Sequence, residues 1–333
     1  MTPGHDHKSP FFSVIIPTRN RAALLAKALY SLRFQTISPE RFEVLVVDSG
    51  STDTTREAAI QAQDELKNLH YFYTAIPGLH AARHLGMEKA KSDILVYTDD
   101  DIRAVPIWLE SISESFADPQ VALVGGKILP EYETTPPQWV DDLWQENEWG
   151  RFLSFYSLSD CGKSRKNIDP IYVWGCNFSI RKELLSQLGG FHPDSMPGHL
   201  LKFRGDGESG IARKIRELNL KAEYHPGAGI FHFVSKERLT LDYLYSRAYR
   251  QGISDSYSHT RSAIVCMRNS KDVVRSWLFL PLRLLRLFSS SYRRKSLLHR
   301  LIHKGKQAGY RFHQRELSLD PELKKWVLQE TYW

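Results

Sequence analysis

Three short aliphatic runs, each stopped by a polar cluster and each preceded or followed by a segment of helical period, constrain this chain most. Phe11 to Pro17 (FFSVIIP) leads into Arg21 to Leu32, where Ala22, Leu25, Leu29 and Leu32 keep helical spacing. Val44 to Val47 ends at Asp48 and the turn-rich SGSTDTT, before a helical pattern over Arg56 to Leu69. Tyr71 to Ile76 predicts a third strand and Leu79 to Ala90 a helix. Ile94 to Tyr97 predicts a fourth strand, which runs straight into Thr98-Asp99-Asp100-Asp101. Strands that alternate with helices predict an α/β fold, a mostly parallel sheet flanked by helices on both faces. Such sheets bind ligands beyond the carboxyl ends of their strands, which is where the polar clusters fall.

Further along, Val121 to Val124 is another strand, and Pro130 to Asp169, rich in Pro, Trp and charge without clean periodicity, reads as long loops and short helices around a substrate site. Ile171 to Ile180 includes WGCNFSI, Arg181 to Leu188 is helical, and Gly189-Gly190-Phe191 breaks that helix. Glu208 to Leu218 is helical, Ala228 to Val234 is a short strand carrying His232, and beyond Leu241 the pattern is helical and basic. A length of 333 residues allows two domains or one large α/β domain with an extension.

The net charge of +7 is unevenly placed: residues 241 to 333 hold 18 Lys and Arg against 7 Asp and Glu, leaving residues 1 to 240 net acidic. Nucleic acid is therefore not an expected partner. Three cysteines, far apart, suit neither a disulfide framework nor a Cys-x-x-Cys zinc site. The N-terminus lacks an apolar signal region, and the longest apolar run, Trp277 to Phe288, is short and holds Arg283 and Arg286. A cytoplasmic protein is expected.

Asp99, Asp100 and Asp101 repel one another, so clustering them is costly without a cation, and oxygen ligands of this kind suit Mg2+ or Mn2+ bridging to nucleotide phosphates. An acidic helix cap for Val105 to Phe116 is the plainer alternative. Asp48, at a neighbouring strand end, can accept from a pyrimidine imide or a sugar hydroxyl, and Arg83 can pair with a diphosphate through its forked donors. These positions combine into a nucleotide-diphosphate site.

In order along residues 11 to 240, SVIIPTRNR, VLVVDSGSTD, GLHAARHLGMEKAKSDILVYTDDD, GCNFSIRKELLSQLGGF and the GDGE-to-FHF segment resemble glycosyltransferase family 2 on the GT-A fold. The resemblance implies inverting transfer of a sugar from a nucleotide donor, a UDP-sugar being the expected one, with Mg2+ or Mn2+ as cofactor. It places Pro17, Arg19 and Asp48 at the nucleotide edge, Arg83 near the diphosphate, Asp101 and His232 on the metal, and Asp99 or Asp100 on the ribose or donor sugar. Trp174, Gly175 and Asn177 match the acceptor side, and the acceptor is expected to be a saccharide or a lipid-linked molecule. The implied organisation is a tail (1–10), a GT-A domain (11–240) with a nucleotide-binding half (11–125) and an acceptor half (126–240), and a basic helical C-terminal extension (241–333).

Inversion needs one carboxylate to take the acceptor's proton. The family places it in a Glu-Asp pair opening a helix, whereas here Gly207 splits Asp206 from Glu208, so either is a candidate, with Asp206 narrowly favoured. That departure leaves a catalytically inactive sugar-nucleotide-binding scaffold as an alternative. A sugar nucleotidyltransferase is weaker, because PTRNRAAL lacks a glycine-rich phosphate loop. Residues 271 to 306 interleave apolar residues with arginines. They either lie peripherally on an anionic membrane surface or pack their apolar face on the catalytic domain or a second subunit.

Overall fold

The computed structural model describes residues 12–265 and 290–333. Strands β1 (Phe12–Thr18), β2 (Phe42–Asp48), β3 (Leu69–Tyr73) and β4 (Ile94–Thr98) lie in the order β3-β2-β1-β4, all parallel. Helices α1 (Ala22–Leu32), α2 (Thr55–Ala62) and α3 (Leu79–Lys89) make the crossovers. Every residue of β1, β2 and β4 is buried, because helices cover both faces of the sheet. Alternation sorts their side chains between two cores. Val14, Ile16, Val44, Val46 and Val96 meet Leu25 and Leu29 of α1, whereas Ile15, Leu45, Val47, Leu95 and Tyr97 meet Ala82 and Met87 of α3.

After β4 come β5 (Ile102–Ala104), α4 (Trp108–Phe116), β6 (Val121–Tyr132) and the one-turn helix α5 (Gln138–Asp141). Residues 130–169, expected to be irregular, hold more strand than that. β7 (Gln145–Asn147), β8 (Gly150–Leu153) and β9 (Leu158–Asp160) form an antiparallel meander joined to β6 at Ile128 and Ser159, and β10 (Lys166–Asn167) follows. Strands of three or four residues are too short to show a period.

β11 (Asn177–Arg181) inserts antiparallel between β4 and β6, and α6 (Lys182–Gln187) and α7 (Glu208–Glu217) lead to β12 (Lys221–Val234). β12 is twice the expected length: it runs parallel to β6 through an irregular stretch between His225 and Ile230 that absorbs Pro226 and Gly227. Helix α2 ends at Ala62, short of the expected Leu69, which instead opens β3.

The chain ends in α8 (Leu241–Val265), α9 (Ser290–Leu319) and α10 (Pro321–Leu328). α8 and α9 approach closely because Gly252, Gly305 and Gly309 let one backbone touch the other; a Cβ at Gly252 or Gly309 would strike backbone of the facing helix. α10 buries Leu323 and Val327 against Tyr257 of α8, and Trp326 donates its indole N–H to the Phe203 carbonyl at 3.0 Å. Of the segment 271–306, residues 271–289 lie outside the described residues, as do residues 1–11. In α9, Arg294 pairs with Asp142 and Leu298 is buried. No helix among the described residues is long and apolar enough to cross a membrane.

Candidate active site

Parallel pairing of β1 and β4 brings Thr18 beside the start of the Asp99-Asp100-Asp101 turn. β5 then pairs antiparallel with β12, His232 opposite Ile102, and Phe233 donates its N–H to the Asp101 carbonyl at 2.8 Å. Two segments 130 residues apart in sequence are thus locked together by backbone bonds, which sets His232 against the acidic turn.

The three aspartates separate by environment. Asp100 accepts from Thr18 Oγ1 at 2.7 Å on one oxygen and from Arg21 at 2.8 Å on the other, so its carboxylate is occupied by protein. Asp101 receives Arg21 and Arg238 on Oδ2, both at 2.9 Å. Its Oδ1 is buried, 3.2 Å from His232 Nε2, and has no hydrogen-bond partner. His232 donates its Nδ1–H to the Tyr156 carbonyl at 2.8 Å, which turns Nε2 toward Asp101. Asp99, half-buried, completes a group with Asp101 and His232 whose ligand atoms all lie within 4.8 Å of one another.

Burial pushes the Asp99 carboxyl up, and the neighbouring Asp101 charge pushes it further. Burial opposes ionisation of Asp101 too, but His232, then Arg238 and Arg21, hold it below the ordinary carboxylate range. Two oxygens and one imidazole nitrogen, one oxygen buried and unpaired, fit Mg2+ or Mn2+, and a cation there would relieve the repulsion that disfavours charge on Asp99.

This turn opens into a cleft of about 500 Å3 that Pro17, Arg19, Thr18 and Ser49 also line. Asp48 sits beside it at the end of β2, its carboxylate accepting from Tyr71 Oη and the Ser51 N–H, both at 2.8 Å. A second cleft, about 670 Å3, holds Trp174, Asp206 and Glu208, with α8 and α9 forming one wall. Phe155, Ser157, Arg204 and Arg247 line both, so the clefts adjoin.

Asp206 and Glu208 differ sharply. Asp206 is buried in a network of His192 Nδ1 at 2.6 Å, Ser258 Oγ at 2.9 Å and Arg213; despite burial, His192 and Arg213 hold its carboxyl below the ordinary range. Glu208, more open, accepts the Gly175 N–H and one Arg83 donor, each at 3.2 Å, and is close enough to Asp99 to raise that group's pKa. Gly175 has no room for a side chain, since a Cβ would run into Arg83 and Glu208.

Arg83, expected near the diphosphate, is buried beneath Glu208 with its guanidinium 4.9 Å from the Phe191 ring centre. Asn177, expected on the acceptor side, is 1 % exposed, accepting the Trp108 indole N–H at 3.0 Å and donating to the Ala228 carbonyl at 2.8 Å. Both of its polar ends are spent inside the fold. Sequence reading missed Arg21 and Arg238 as partners of the acidic turn. Arg21 stands at the opening of the first helix in PTRNR, a signal that charge next to three aspartates could have given; Arg238 had none.

Residues 13–189, more than half of the chain, match the family model described as glycosyl transferase family 2. The chain is 28% identical over 268 residues to validoxylamine A glucosyltransferase of Streptomyces hygroscopicus subsp. limoneus, covering 76% of this chain and 56% of that protein. It therefore spans little more than half the length of that relative. The mannosyltransferase PcManGT of Pyrobaculum calidifontis, solved with GDP-Man and Mn2+, is similar in fold with a TM-score of 0.54 at 20% identity, over 97% of this chain and 85% of that one. Residues 1–349 of S. aureus TarS with UDP give 0.50 at 16% identity, over 93% and 92% of the two chains.

Proposed function

Because the chain belongs to glycosyl transferase family 2 and has the GT-A fold, we propose that it transfers a sugar, with inversion and divalent-metal dependence, from a nucleotide-diphosphate donor to a hydroxyl of a saccharide or lipid-linked acceptor. The observation that carries this reading is the meeting of Asp99, Asp101 and His232 in one cleft that adjoins a second cleft holding Glu208.

In this reading the nucleotide lies along Pro17, Arg19 and the end of β2 near Asp48, within the half of the domain formed by residues 11–125. Asp99, Asp101 and His232 would hold Mg2+ or Mn2+, which supplies positive charge against the diphosphate leaving group. Arg21 and Arg238, both bound to its Oδ2, fix Asp101 in place. The acceptor enters by the second cleft, where Trp174 offers a half-buried ring face for a sugar. Glu208 takes the proton of the acceptor hydroxyl as its oxygen bonds to the anomeric carbon and the bond to the diphosphate breaks on the opposite face. The N–H of Gly175 and the guanidinium of Arg83 orient Glu208. Neighbours solved with GDP-Man and Mn2+ or with UDP support a nucleotide-diphosphate donor, and a UDP-sugar remains the expected one. Peripheral contact of residues 271–306 with an anionic membrane stays part of the proposal, testable by cosedimentation with anionic liposomes.

Thermal shift against UDP- and GDP-sugars tests the donor assignment: a melting temperature that rises with one of them in Mn2+, and less in EDTA, is expected. No shift with any of them at saturating concentration contradicts it.

A further inference from the structure

Helix α8, outside residues 13–189 of the family match, carries Arg247 and Arg250 one turn apart on the face that lines the first cleft. Of the six arginines lining that cleft, Arg21, Arg204 and Arg238 are matched, whereas Arg19, at the nucleotide edge, has no ion-pair partner among the described residues. Arg21 and Arg238 are bound by Asp100 and Asp101, and Arg204 is bound by Asp194 at 2.7 Å and donates to Ser254 Oγ at 3.1 Å. Arg247 and Arg250 have neither an ion-pair nor a hydrogen-bond partner among the described residues.

Arg204, the ion-pair partner of Asp194, is thus flanked by two further guanidinium groups. Burial lowers the pKa of Arg204, and Arg247 and Arg250 lower it further, against the pull of Asp194. Unmatched positive charge in a concave site is relieved by an anion. The same cleft also receives Gly78 and Leu79 at the N-terminal end of α3, an 11-residue helix without a side-chain cap, whose dipole adds positive potential there. The forked donors of arginine match phosphoryl oxygens better than a point charge does.

We propose that Arg247 and Arg250 of α8 form a phosphoryl-binding clamp at the junction of the two clefts. Arg247 lines both clefts, so the phosphoryl group comes from one of two sources: the terminal phosphate of the donor nucleotide, or a phosphate carried by the acceptor. The first source rests on the donor site proposed above. In either case the C-terminal extension supplies part of the site and is not an appendage to it.

The test is isothermal titration of the full chain, with Mn2+ present, comparing native protein with R247Q/R250Q and with the single R250Q variant, whose position is exposed. The probes are UDP, GDP, UMP, GMP and inorganic phosphate, the last added both to free protein and to protein saturated with a nucleoside diphosphate. If the donor supplies the phosphoryl group, the double variant loses about tenfold or more in affinity for the nucleoside diphosphate while monophosphate affinity stays within about twofold, and R250Q shows part of that loss. If the acceptor supplies it, nucleotide affinities are unchanged, and the phosphate binding seen in nucleotide-saturated native protein disappears in the double variant. Native-like affinity of the double variant for nucleoside diphosphates and for phosphate overturns the clamp. Native protein that binds neither UDP nor GDP instead overturns the donor reading, and phosphate binding by free native and variant protein then decides the clamp alone. Equal melting temperatures of native and variant proteins show that a loss is local.

Discussion

Asp206 and Glu208 are two residues apart, and the glycine between them gives them separate environments. Gly207 has φ of 53° and ψ of −129°, a conformation closed to ordinary L-residues, and it turns Glu208 into the first turn of α7 while Asp206 stays buried with His192 and Arg213. Glu208→Gln should lower transfer by about 10²- to 10⁴-fold with little effect on nucleotide affinity. Asp206→Asn, by contrast, should act on the fold: breaking a buried charge network costs about 3–5 kcal/mol, read as a lower urea midpoint. If Asp206→Asn were as stable as the native protein yet inactive, the two roles would be reversed. Gly175→Ala should behave like Glu208→Gln in kinetics, because its methyl group displaces both Glu208 and Arg83. The sequence pointed to both carboxylates but not to the choice between them, since spacing along a chain does not tell which partners a side chain meets after folding. For the same reason Asp100 was grouped with donor contacts, although Thr18 and Arg21 occupy its oxygens.

Among the elements, those legible beforehand were the ones whose period is dictated by burial on both faces. β1, β2 and β4 are continuous apolar runs, and the helices between them have the spacing that covers such a sheet. The meander β7–β9 was not legible because its strands are too short to show a period, and the long β12 was not because it pairs with distant β6 and Pro226-Gly227 reads as a strand end. The docking of the C-terminal segment was equally hidden. There His84 of α3 lies with Nδ1 3.2 Å from the Tyr332 carbonyl while Nε2 accepts the Phe191 N–H at 2.9 Å, so the ring is held neutral. Burial lowers His84 to about 4, with His80 adding to it, and burial lowers His80 and His313 to about 4 as well. A histidine held below its unfolded value of 6.5 stabilises the fold fully above that pH, because only the unfolded chain takes up the proton as the pH falls. Stability should therefore fall progressively between about pH 6.5 and pH 4, measurable as a declining urea midpoint. A midpoint that stays constant over that window would contradict the neutral, buried assignment of these rings.

At the scale of the whole molecule, a parallel half built on β1 to β4, a second half of mixed pairing and a helical extension border two adjoining clefts, with the acidic turn in one and Glu208 in the other. In the function proposed above, donor and acceptor would enter by separate clefts that meet between the acidic turn and Glu208. Asp101→Ala should remove metal-dependent turnover, with a melting profile that stays cooperative but shifts down because Arg21, Arg238 and His232 lose their buried partner. The most direct measurement of the central claim is proton NMR of the sugar released or transferred from an α-linked nucleotide-sugar, followed from the first turnover in Mn2+ and in EDTA. The account predicts a β-configured product in Mn2+ and loss of turnover in EDTA; an α-configured first product, or an undiminished rate in EDTA, would contradict it.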